Sequence, residues 1–320
     1  MSISILGAGA FGTSLAIALA SKGPVTLWAR SPEHAEEMHL ERKNGRRLAG
    51  AEFPKNLRVT SEIFDAIAHS TILLAVPMQL LGTFLTENAS FLAGKQLVAC
   101  CKGIDRATGL GPIDLINTII PTAQGAVLTG PSFANDIALG LPTALCLACA
   151  DEAAGHLLQD NLSTPTLRLY RTTDVVGAQL GGALKNIFAI AAGAAIGAKL
   201  GESARAALIT RGFAEMNRFA IYFGAQTQTL AGLSGFGDLT LTCTSKLSRN
   251  YKFGLALGGG TPFDTATTVE GAATSLAVKI LSKQHQIDMP ITHSIAAIVE
   301  GKSTVPAEMK HLLSRPLKEE

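Results

Sequence analysis

The stretch Ser2-Ile3-Ser4-Ile5-Leu6-Gly7-Ala8-Gly9-Ala10-Phe11-Gly12 decides the fold of this chain of 320 residues, because it joins a short apolar run to a glycine-rich turn. The run Ser2–Leu6 predicts a buried β-strand, and Phe11–Ser21 has the composition of a helix. The glycines between them follow the pattern GxGxxG, which is typical of the first strand–helix turn of a dinucleotide-binding domain.

Each glycine of this pattern has its own physical reason. Gly7 permits a tight turn, and Gly9 lets the backbone approach a pyrophosphate that a Cβ atom would obstruct. Gly12 lets the helix pack closely on the strand, and the N–H groups at the start of the helix then face the anion. A glycine turn that serves packing alone is the alternative. The position of the pattern at the first strand–helix turn favours nucleotide binding.

Beyond this turn, the first half of the chain alternates short apolar runs with helix-like segments. The predicted strands are Ser2–Leu6, Val25–Ala29, Leu57–Thr60, Thr71–Ala75, Gln96–Cys101, Gly125–Thr129, Thr143–Ala150 and Thr166–Tyr170. The predicted helices between them include Phe11–Ser21, Pro32–Lys43 and Gln79–Glu87. This alternation predicts a Rossmann-type, mostly parallel sheet, and continuous apolar runs are typical of strands buried on both faces.

The pattern changes near Thr173. From Val175 onward the sequence has mainly helical periodicity and no convincing series of strands. The predicted helices are Val175–Lys199, Ala204–Phe223, Arg249–Leu257, Gly271–Gln284 and Ile291–Glu300. We therefore expect an α/β protein with a dinucleotide-binding domain over residues 1–175 and an all-helical substrate and catalytic domain over residues 176–320.

The composition fits two compact domains and argues against two classes of partner. Of all residues 47% are hydrophobic and 16% are charged, and the formal net charge is +2. The sequence contains no block of Lys and Arg, so we expect neither a nucleic acid nor an anionic membrane as a partner. The apolar stretch Ile187–Ala198 is shorter than the roughly 20 residues that span a bilayer, and it predicts a buried core helix.

Cysteine usage indicates a reducing compartment. The chain has five cysteines, at Cys100, Cys101, Cys146, Cys149 and Cys243. An odd number without framework spacing predicts free thiols. Cys146 and Cys149 form a CxxC motif in an apolar run, without the further ligands that a zinc site needs. We therefore expect them to be small buried thiols on a strand. Because Met1–Gly7 also lacks the pattern of a signal peptide, we expect a cytoplasmic protein.

The end of the second predicted strand bears on which dinucleotide is bound. In NAD-binding domains an acidic residue roughly 20 residues after the glycine motif contacts the ribose 2′-hydroxyl. This chain has Arg30 and Ser31 there, and Glu33 comes only later. Because Arg30 with Ser31 can accommodate a 2′-phosphate, we predict a preference for NADP(H); a solvated Arg at a strand end is the alternative.

Two more segments follow predicted strands whose carboxyl ends face the ligand crevice of an open α/β sheet. Lys102, in Cys101-Lys102-Gly103, can meet an anion there, or alternatively is a surface Lys that extends to solvent. The segment Thr129-Gly130-Pro131-Ser132-Phe133-Ala134 offers backbone N–H groups and the Ser132 hydroxyl to a phosphate or cofactor group. An ordinary Gly-Pro turn is the alternative.

The helical half contains two polar clusters that stand out. Gly181-Gly182-Ala183-Leu184-Lys185-Asn186 puts a Lys–Asn pair inside an apolar helix, where a Lys is seldom found without a role or a partner. Burial favours the neutral amine, which suits an acid/base, and the glycines would let a ligand come close; a Lys at a domain seam is the alternative. Downstream, Asp238 can pair with a cation and Arg249 can bind phosphate, or the two are a capping Asp and a surface Arg.

In this order and spacing, the segments resemble the soluble, bacterial-type NAD(P)-dependent glycerol-3-phosphate dehydrogenases over nearly the whole chain. The resemblance rests on GAGAFGT at Gly7–Thr13, CKGID at Cys101–Asp105, GPSFA at Gly130–Ala134, QLGGALKN at Gln179–Asn186, ALITRGFAEM at Ala207–Met216, GFGDLTLTCTSKLSRN at Gly235–Asn250, VEG at Val269–Gly271 and MPIT at Met289–Thr292. The tail beyond Ala307 matches weakly, and we assign it no role.

The resemblance implies roles for the matching positions. Lys185 would be the catalytic proton donor and acceptor. The substrate would be bound by Lys102, Gly130, Ser132, Lys185, Asp238, Ser248, Arg249 and Asn250, and its phosphate largely by the last two. The cofactor would be bound by Gly7, Gly9, Ala10, Phe11, Gly12, Arg30, Lys102, Ala134, Arg249 and Glu270.

The implied reaction is hydride transfer between the nicotinamide of NADP or NAD and C2 of sn-glycerol 3-phosphate or dihydroxyacetone phosphate, which would supply glycerol 3-phosphate for phospholipid synthesis. Lys185 would stabilise and protonate the developing alkoxide, with Asp238 orienting Lys185 or holding it charged and Lys102 adding positive potential. This scheme needs no metal. The histidines form no close pair; they are His34, His39, His69, His156, His285, His293 and His311.

Other interpretations remain open from the sequence. One is a related two-domain dehydrogenase acting on a 2-hydroxy acid or a hydroxyacyl substrate. The other is a dinucleotide-binding sensor without turnover, against which Lys185, Asp238 and Arg249 argue together. A homodimer is expected from the apolar surfaces of the helical domain.

Overall fold

The protein, here a computed structural model, is described for residues 3–264 and 267–316. The ten strands within these described residues are β1 (Ile3–Leu6), β2 (Val25–Trp28), β3 (Lys43–Asn44), β4 (Leu48–Glu52), β5 (Leu57–Thr60), β6 (Thr71–Leu74), β7 (Gln96–Ala99), β8 (Gln124–Thr129), β9 (Thr143–Cys149) and β10 (Leu167–Thr172). All eight predicted strands are confirmed with small shifts at their ends, and Ser2 lies outside the described residues.

The helices of the first half lie between these strands along the chain. They are α1 (Ala10–Leu19), α2 (Pro32–Glu41), α3 (Ile63–Ile67), α4 (Met78–Leu92), α5 (Pro112–Ile119), α6 (Ala134–Ala138) and α7 (Glu152–Leu162). The second half contains α8 (Val175–Gly197), α9 (Glu202–Tyr222), α10 (Thr227–Ala231), a π-helix (Leu233–Gly237), α11 (Asp238–Thr244), α12 (Arg249–Gly259), α13 (Glu270–Gln284), α14 (Pro290–Val299) and α15 (Val305–Leu313). In the described residues after Thr172 no strand occurs, as predicted.

The main sheet has the order β10-β9-β8-β7-β6-β1-β2-β5. All neighbouring strands are parallel except β8 and β9, which are antiparallel, so the prediction of a mostly parallel Rossmann-type sheet is confirmed. After β1 the chain adds β2 and then β5 on one side of it. The chain then returns to the other side of β1, where it adds β6, β7, β8, β9 and β10 in turn. The carboxyl ends of β1 and β6 therefore form the topological switch point at which such sheets bind ligands.

A small hairpin was not predicted. The predicted helix Pro32–Lys43 is too long: α2 ends at Glu41, and Lys43 begins the antiparallel β3–β4 ribbon. The helix stops because Arg42 adopts a left-handed conformation, with φ of 53°, and its guanidinium donates to the carbonyl of Pro54 at 2.6 Å. The hydrogen bond from Arg42 to Pro54 fixes this turn, and the sequence around Arg42 does not predict it.

The chain divides into two compact units. The first contains the described residues up to Lys102 together with Leu110–Gln179, and the second contains Gly103–Gly109 and the described residues from Leu180 onward. The division falls inside α8. The domain bounds 1–175 and 176–320 stay a prediction.

Helix α8 is the core helix of the second unit. By length and composition it could cross a membrane, but 89% of its most apolar window is buried within the protein, which confirms the predicted core helix. Its packing partner is α12, and both helices carry glycines four residues apart. A Cβ added to Gly193 would lie 2.1 Å from the carbonyl oxygen of Tyr251, and one added to Gly254 would lie 2.1 Å from that of Ile190. Only glycine allows the two backbones to approach this closely.

A buried carboxylate joins α9 to α14. Glu215 is 2% exposed and accepts hydrogen bonds from the N–H groups of Ile291 and Thr292, at 2.6 and 3.1 Å, and from the Thr292 hydroxyl at 2.9 Å. It thereby caps the start of α14 from a neighbouring helix. Burial raises the pKa of Glu215 to about 7, although these hydrogen bonds act in the opposite direction.

We expect Glu215 to make the stability of the protein depend on pH. Its pKa is 4.5 in an unfolded chain and about 7 when folded, so the folded state binds the extra proton and stability falls as pH rises through this range. Relative to Glu215→Gln, which cannot ionise, the wild type should lose about 3 kcal/mol between these limits. Denaturant unfolding from pH 4.5 to 8 measures the difference.

Glu202→Gln is the matched control, since Glu202 lies on the same helix with its side chain 71% exposed. The free energy of unfolding of this variant should depend on pH in the same way as that of the wild type. Parallel profiles for wild type and Glu215→Gln would contradict the assignment.

Candidate functional site

The glycine-rich loop is held by close backbone contacts. Gly7 has a φ of 120°, and a Cβ there would lie 2.6 Å from the carbonyl oxygen of Ala75, which follows β6. A Cβ on Gly12 would lie 2.0 Å from the carbonyl oxygen of Gly7. The structure thus confirms the turn at Gly7 and the close packing at Gly12.

Gly9 differs from these two glycines because the space in front of it is open. No heavy atom outside its chain neighbours lies within 4 Å of an added Cβ. Gly9 is also the N-cap of α1 and provides no capping side chain, and Ala10 and Phe11 form the first turn. An open space at a helix N-terminus, beside the switch point of the sheet, fits the pyrophosphate of a dinucleotide.

The end of β2 carries the residues expected at the ribose. Arg30 is exposed, and Ser31 is the N-cap of α2. The Ser31 hydroxyl accepts from the N–H of His34 at 3.2 Å and donates to Glu33 at 2.6 Å, which lowers the pKa of Glu33. Since Ser31 is already engaged in two hydrogen bonds, Arg30 is the group best suited to a 2′-phosphate.

The ends of β7 and β8 bring three predicted residues together. The Lys102 ammonium donates to the carbonyl oxygen of Gly130 at 3.2 Å, and the Ser132 hydroxyl donates to the same oxygen at 3.4 Å. Gly130 has a φ of 136° and faces the backbone of Leu145 on β9. Ala134 begins α6 shortly after. These contacts set the position of a cation and a hydroxyl at the carboxyl edge of the sheet.

In the second unit a buried ion pair joins α8 to α11. Nζ of Lys185 lies 2.5 Å from Oδ1 of Asp238, and the two residues are 7% and 0% exposed. A lysine can be buried in so apolar a helix because the carboxylate compensates its charge, and removing either partner would leave an uncompensated buried charge. The prediction that Asp238 pairs with a cation is confirmed.

The backbone before Asp238 is irregular. Asp238 comes directly after the π-helix Leu233–Gly237. π-Helical segments are rare, and they are frequently found at functional sites. A Cβ on Gly181 of α8 would lie 2.7 Å from the carbonyl oxygen of Ser234. The expectation that Gly181 leaves room for a ligand is therefore wrong: its missing side chain makes room for this backbone, which carries Asp238 to Lys185.

The start of α12 groups the residues predicted to hold phosphate. Ser248 is buried and is the N-cap, with its hydroxyl accepting from the N–H of Tyr251 at 3.2 Å and bonded to the Thr242 hydroxyl at 2.9 Å. Arg249 is the first helical residue and is exposed. A guanidinium at a helix N-terminus, where backbone N–H groups also point outward, suits a phosphate group.

Asn250 connects this helix to two others. Its Nδ2 donates to Oδ1 of Asn186 at 3.0 Å, and its Oδ1 accepts from the N–H of Gly271 at 2.9 Å. Asn186 follows Lys185 on α8, and Glu270 precedes Gly271 at the start of α13. Sequence reasoning gave Asn186 no separate role, although the Lys–Asn pair pointed to it.

The sequence matches the N-terminal region of NAD-dependent glycerol-3-phosphate dehydrogenase over residues 2–155 and the C-terminal region over residues 174–310. Relatives named glycerol-3-phosphate dehydrogenase (NAD(P)+) from Roseobacter denitrificans and a Ruegeria species are 60% and 58% identical over 320 residues, covering all of both chains. The chain belongs to this family. The solved glycerol-3-phosphate dehydrogenase of Coxiella burnetii has 36% identity and a TM-score of 0.93, with 98% of this chain and 99% of that chain covered.

Within this glycerol-3-phosphate dehydrogenase chain, the predicted residues fall into two sets. The first unit places Gly7, Gly9, Ala10, Phe11, Gly12 and Arg30 at the amino end of α1 and the end of β2, and Lys102, Gly130, Ser132 and Ala134 at the ends of β7 and β8. The second unit contains Lys185, Asp238, Ser248, Arg249, Asn250 and Glu270.

The cysteine thiols belong to neither of these two sets. All five cysteines are buried and form no disulfide, which confirms the predicted buried thiols. Burial raises the pKa of Cys243, the one nearest the ion pair, even though Lys185 acts in the opposite direction. Among residues 3–264 and 267–316, no group of three or more His, Cys, Asp and Glu side chains is arranged to hold a metal ion.

Proposed function

We propose that this chain interconverts sn-glycerol 3-phosphate and dihydroxyacetone phosphate with NADP(H) or NAD(H), using Lys185 as the acid/base. The observation that carries the assignment is the buried Lys185–Asp238 ion pair, in a chain of the glycerol-3-phosphate dehydrogenase family. A dinucleotide sensor would have no evident need for a compensated cation in its core, since burying such a pair brings little stability.

The cofactor would be held at the glycine-rich loop and the end of β2. Its pyrophosphate would lie over Gly9 at the N-terminus of α1, beside Ala10 and Phe11. We further assign Lys102, Ala134, Arg249 and Glu270 to the cofactor site, as the family resemblance implies. When bound, the nicotinamide supplies or accepts the hydride at C2 of the substrate.

Lys185 acts on the oxygen at C2. In the reductive direction the carbonyl oxygen gains negative charge, which the ammonium stabilises and then protonates. In the oxidative direction the neutral amine takes the hydroxyl proton. Asp238 keeps the ammonium in place through its 2.5 Å contact, so the side chain is positioned before the substrate arrives.

The phosphate end of the substrate would be bound at the start of α12. Arg249 supplies two parallel N–H donors, and the first turn of the helix supplies backbone N–H groups. Asn250 contributes through the amide hydrogen that its contact with Asn186 leaves available. Lys102, Gly130, Ser132 and Ser248 complete the proposed substrate site.

We propose a cytoplasmic location, in keeping with five cysteines that form no disulfide. A homodimer is also proposed, supported by exposed apolar side chains on the second unit at Ile221, Tyr222 and Ile280.

Lys185→Ala should lower kcat for dihydroxyacetone phosphate reduction by about a thousandfold, because it removes both the cation and the proton donor. Affinity for NADPH should stay near that of the wild type. Initial rates of NADPH oxidation and equilibrium binding of NADPH measure the two effects. The control is Lys252→Ala, which removes an exposed lysine from α12. Near-normal turnover in Lys185→Ala would exclude it as the acid/base.

Arg249→Ala should raise KM for dihydroxyacetone phosphate by about a hundredfold, since it removes a charge-assisted contact to the phosphate. At saturating cofactor, turnover of unphosphorylated dihydroxyacetone, which has no phosphate for Arg249 to bind, should be unchanged, and Arg249→Lys should recover part of the loss. Equal losses on both ketones, or an unchanged KM for the phosphorylated one, would remove Arg249 from the phosphate site.

We propose a preference for NADP(H) based on Arg30, whose guanidinium would pair with the 2′-phosphate. The ratio of kcat/KM for NADPH to that for NADH should exceed one in the wild type and fall about tenfold in Arg30→Ala. Initial rates with the two cofactors measure it. A clear preference of the wild type for NADH would contradict the proposal.

A further inference from the structure

The side chain of Asn44 lies fully buried behind the glycine-rich loop. It is 0% exposed and belongs to β3, the first strand of the hairpin that the sequence did not predict. Its Nδ2 donates to the carbonyl oxygen of Ala8 at 3.1 Å and to the Thr13 hydroxyl oxygen at 2.8 Å. Ala8 lies between Gly7 and Gly9, and Thr13 lies in α1. One amide group therefore contacts both sides of the loop.

The other end of the same amide contacts α2 and its own hairpin. Oδ1 of Asn44 accepts from Nε2 of His34 at 3.1 Å and from the N–H of Arg47 at 3.2 Å. His34 lies in the first turn of α2, which Ser31 caps. All four hydrogen-bonding positions of the amide are thus occupied, and no other side chain of this shape offers two donors and two acceptors on opposite sides.

Nothing in the loop itself fixes its backbone in the same way. Gly7 and Gly9 have no side chains, and Ala8 has only a methyl group, so their free backbone rotation must be restricted from outside. Gly9 also lacks a capping side chain. A loop that is ordered before the ligand arrives avoids an entropic cost on binding, and affinity rises accordingly.

We propose that Asn44 is a positioning residue of the dinucleotide site, which holds the glycine-rich loop in the form that receives the pyrophosphate and links it to α2 at the ribose end. The inference rests on the cofactor part of the proposed function. Asn44 acts through Ala8, Thr13 and His34, and touches neither the reacting atoms nor the substrate phosphate.

The test is equilibrium binding of NADPH to the full chain, followed by nicotinamide fluorescence, alongside steady-state kinetics. Asn44→Ala should raise the Kd for NADPH by about tenfold or more, since two loop partners lose their donor. At saturating NADPH, kcat and the KM for dihydroxyacetone phosphate should stay within about twofold of the wild type. Substitution of a residue with a purely structural role would change the Kd for NADPH, kcat and the KM together, or would change none of them.

Asn56→Ala is the matched control. Its amide donates to the carbonyl oxygen of Ala20, at the opposite end of α1, at 3.3 Å. This variant removes a similar contact from the same helix and should leave the Kd for NADPH unchanged. An unchanged Kd in Asn44→Ala, or an equal rise in Asn56→Ala, would overturn the proposal.

Thr13→Val provides a second variant should Asn44→Ala fail to fold. It removes only one of the two acceptors and should raise the Kd by about threefold, and Thr13→Ser, which keeps the hydroxyl, should restore it. An unchanged Kd in Thr13→Val would also overturn the proposal. A wild type that bound neither NADPH nor NADH would contradict the proposed function itself, so the two failures are distinguishable.

Discussion

The ion pair between Lys185 and Asp238 positions a cation in the buried interior of the second unit. A lysine ammonium in the apolar core would be costly by itself, and the carboxylate at 2.5 Å makes its burial possible. The two residues are 53 positions apart, so the pair also fixes α11 on α8. The protein gains a pre-positioned cation from this arrangement, and in the proposed function that cation stabilises the oxygen of the carbonyl that is reduced.

Close backbone packing surrounds this pair. Gly181 admits the backbone of the π-helix that leads to Asp238, and Gly193 and Gly254 let α12 approach α8. The start of α12, with Arg249, is held against the helix that carries Lys185 through the bond between Asn186 and Asn250. The distance from Lys185 to the start of α12 is therefore set by contacts that tolerate no added methyl group.

Much of this could be predicted from sequence because the decisive signals are local. Apolar runs and the spacing of Gly7, Gly9 and Gly12 predicted the sheet and its ligand crevice, and the resemblance supplied the set of site residues. Features that depend on distant contacts could not be predicted. The β3–β4 hairpin has no alternation of apolar and polar residues. It is stabilised by hydrogen bonds that Arg42 and Asn44 donate to the backbone carbonyl groups of Pro54 and Ala8. The role of Gly181 was misjudged for the same reason, since its partner is 53 residues away in the chain.

The most direct test of the central claim is the rate of NADPH oxidation by dihydroxyacetone phosphate in Asp238→Asn, at saturating concentrations of both ligands. This variant keeps the shape of the side chain and removes the charge that compensates Lys185. We expect kcat to fall by about a hundredfold or more while the affinity for NADPH is retained. Turnover close to that of the wild type, in a folded variant, would contradict the claim that the buried ion pair is the centre of the active site.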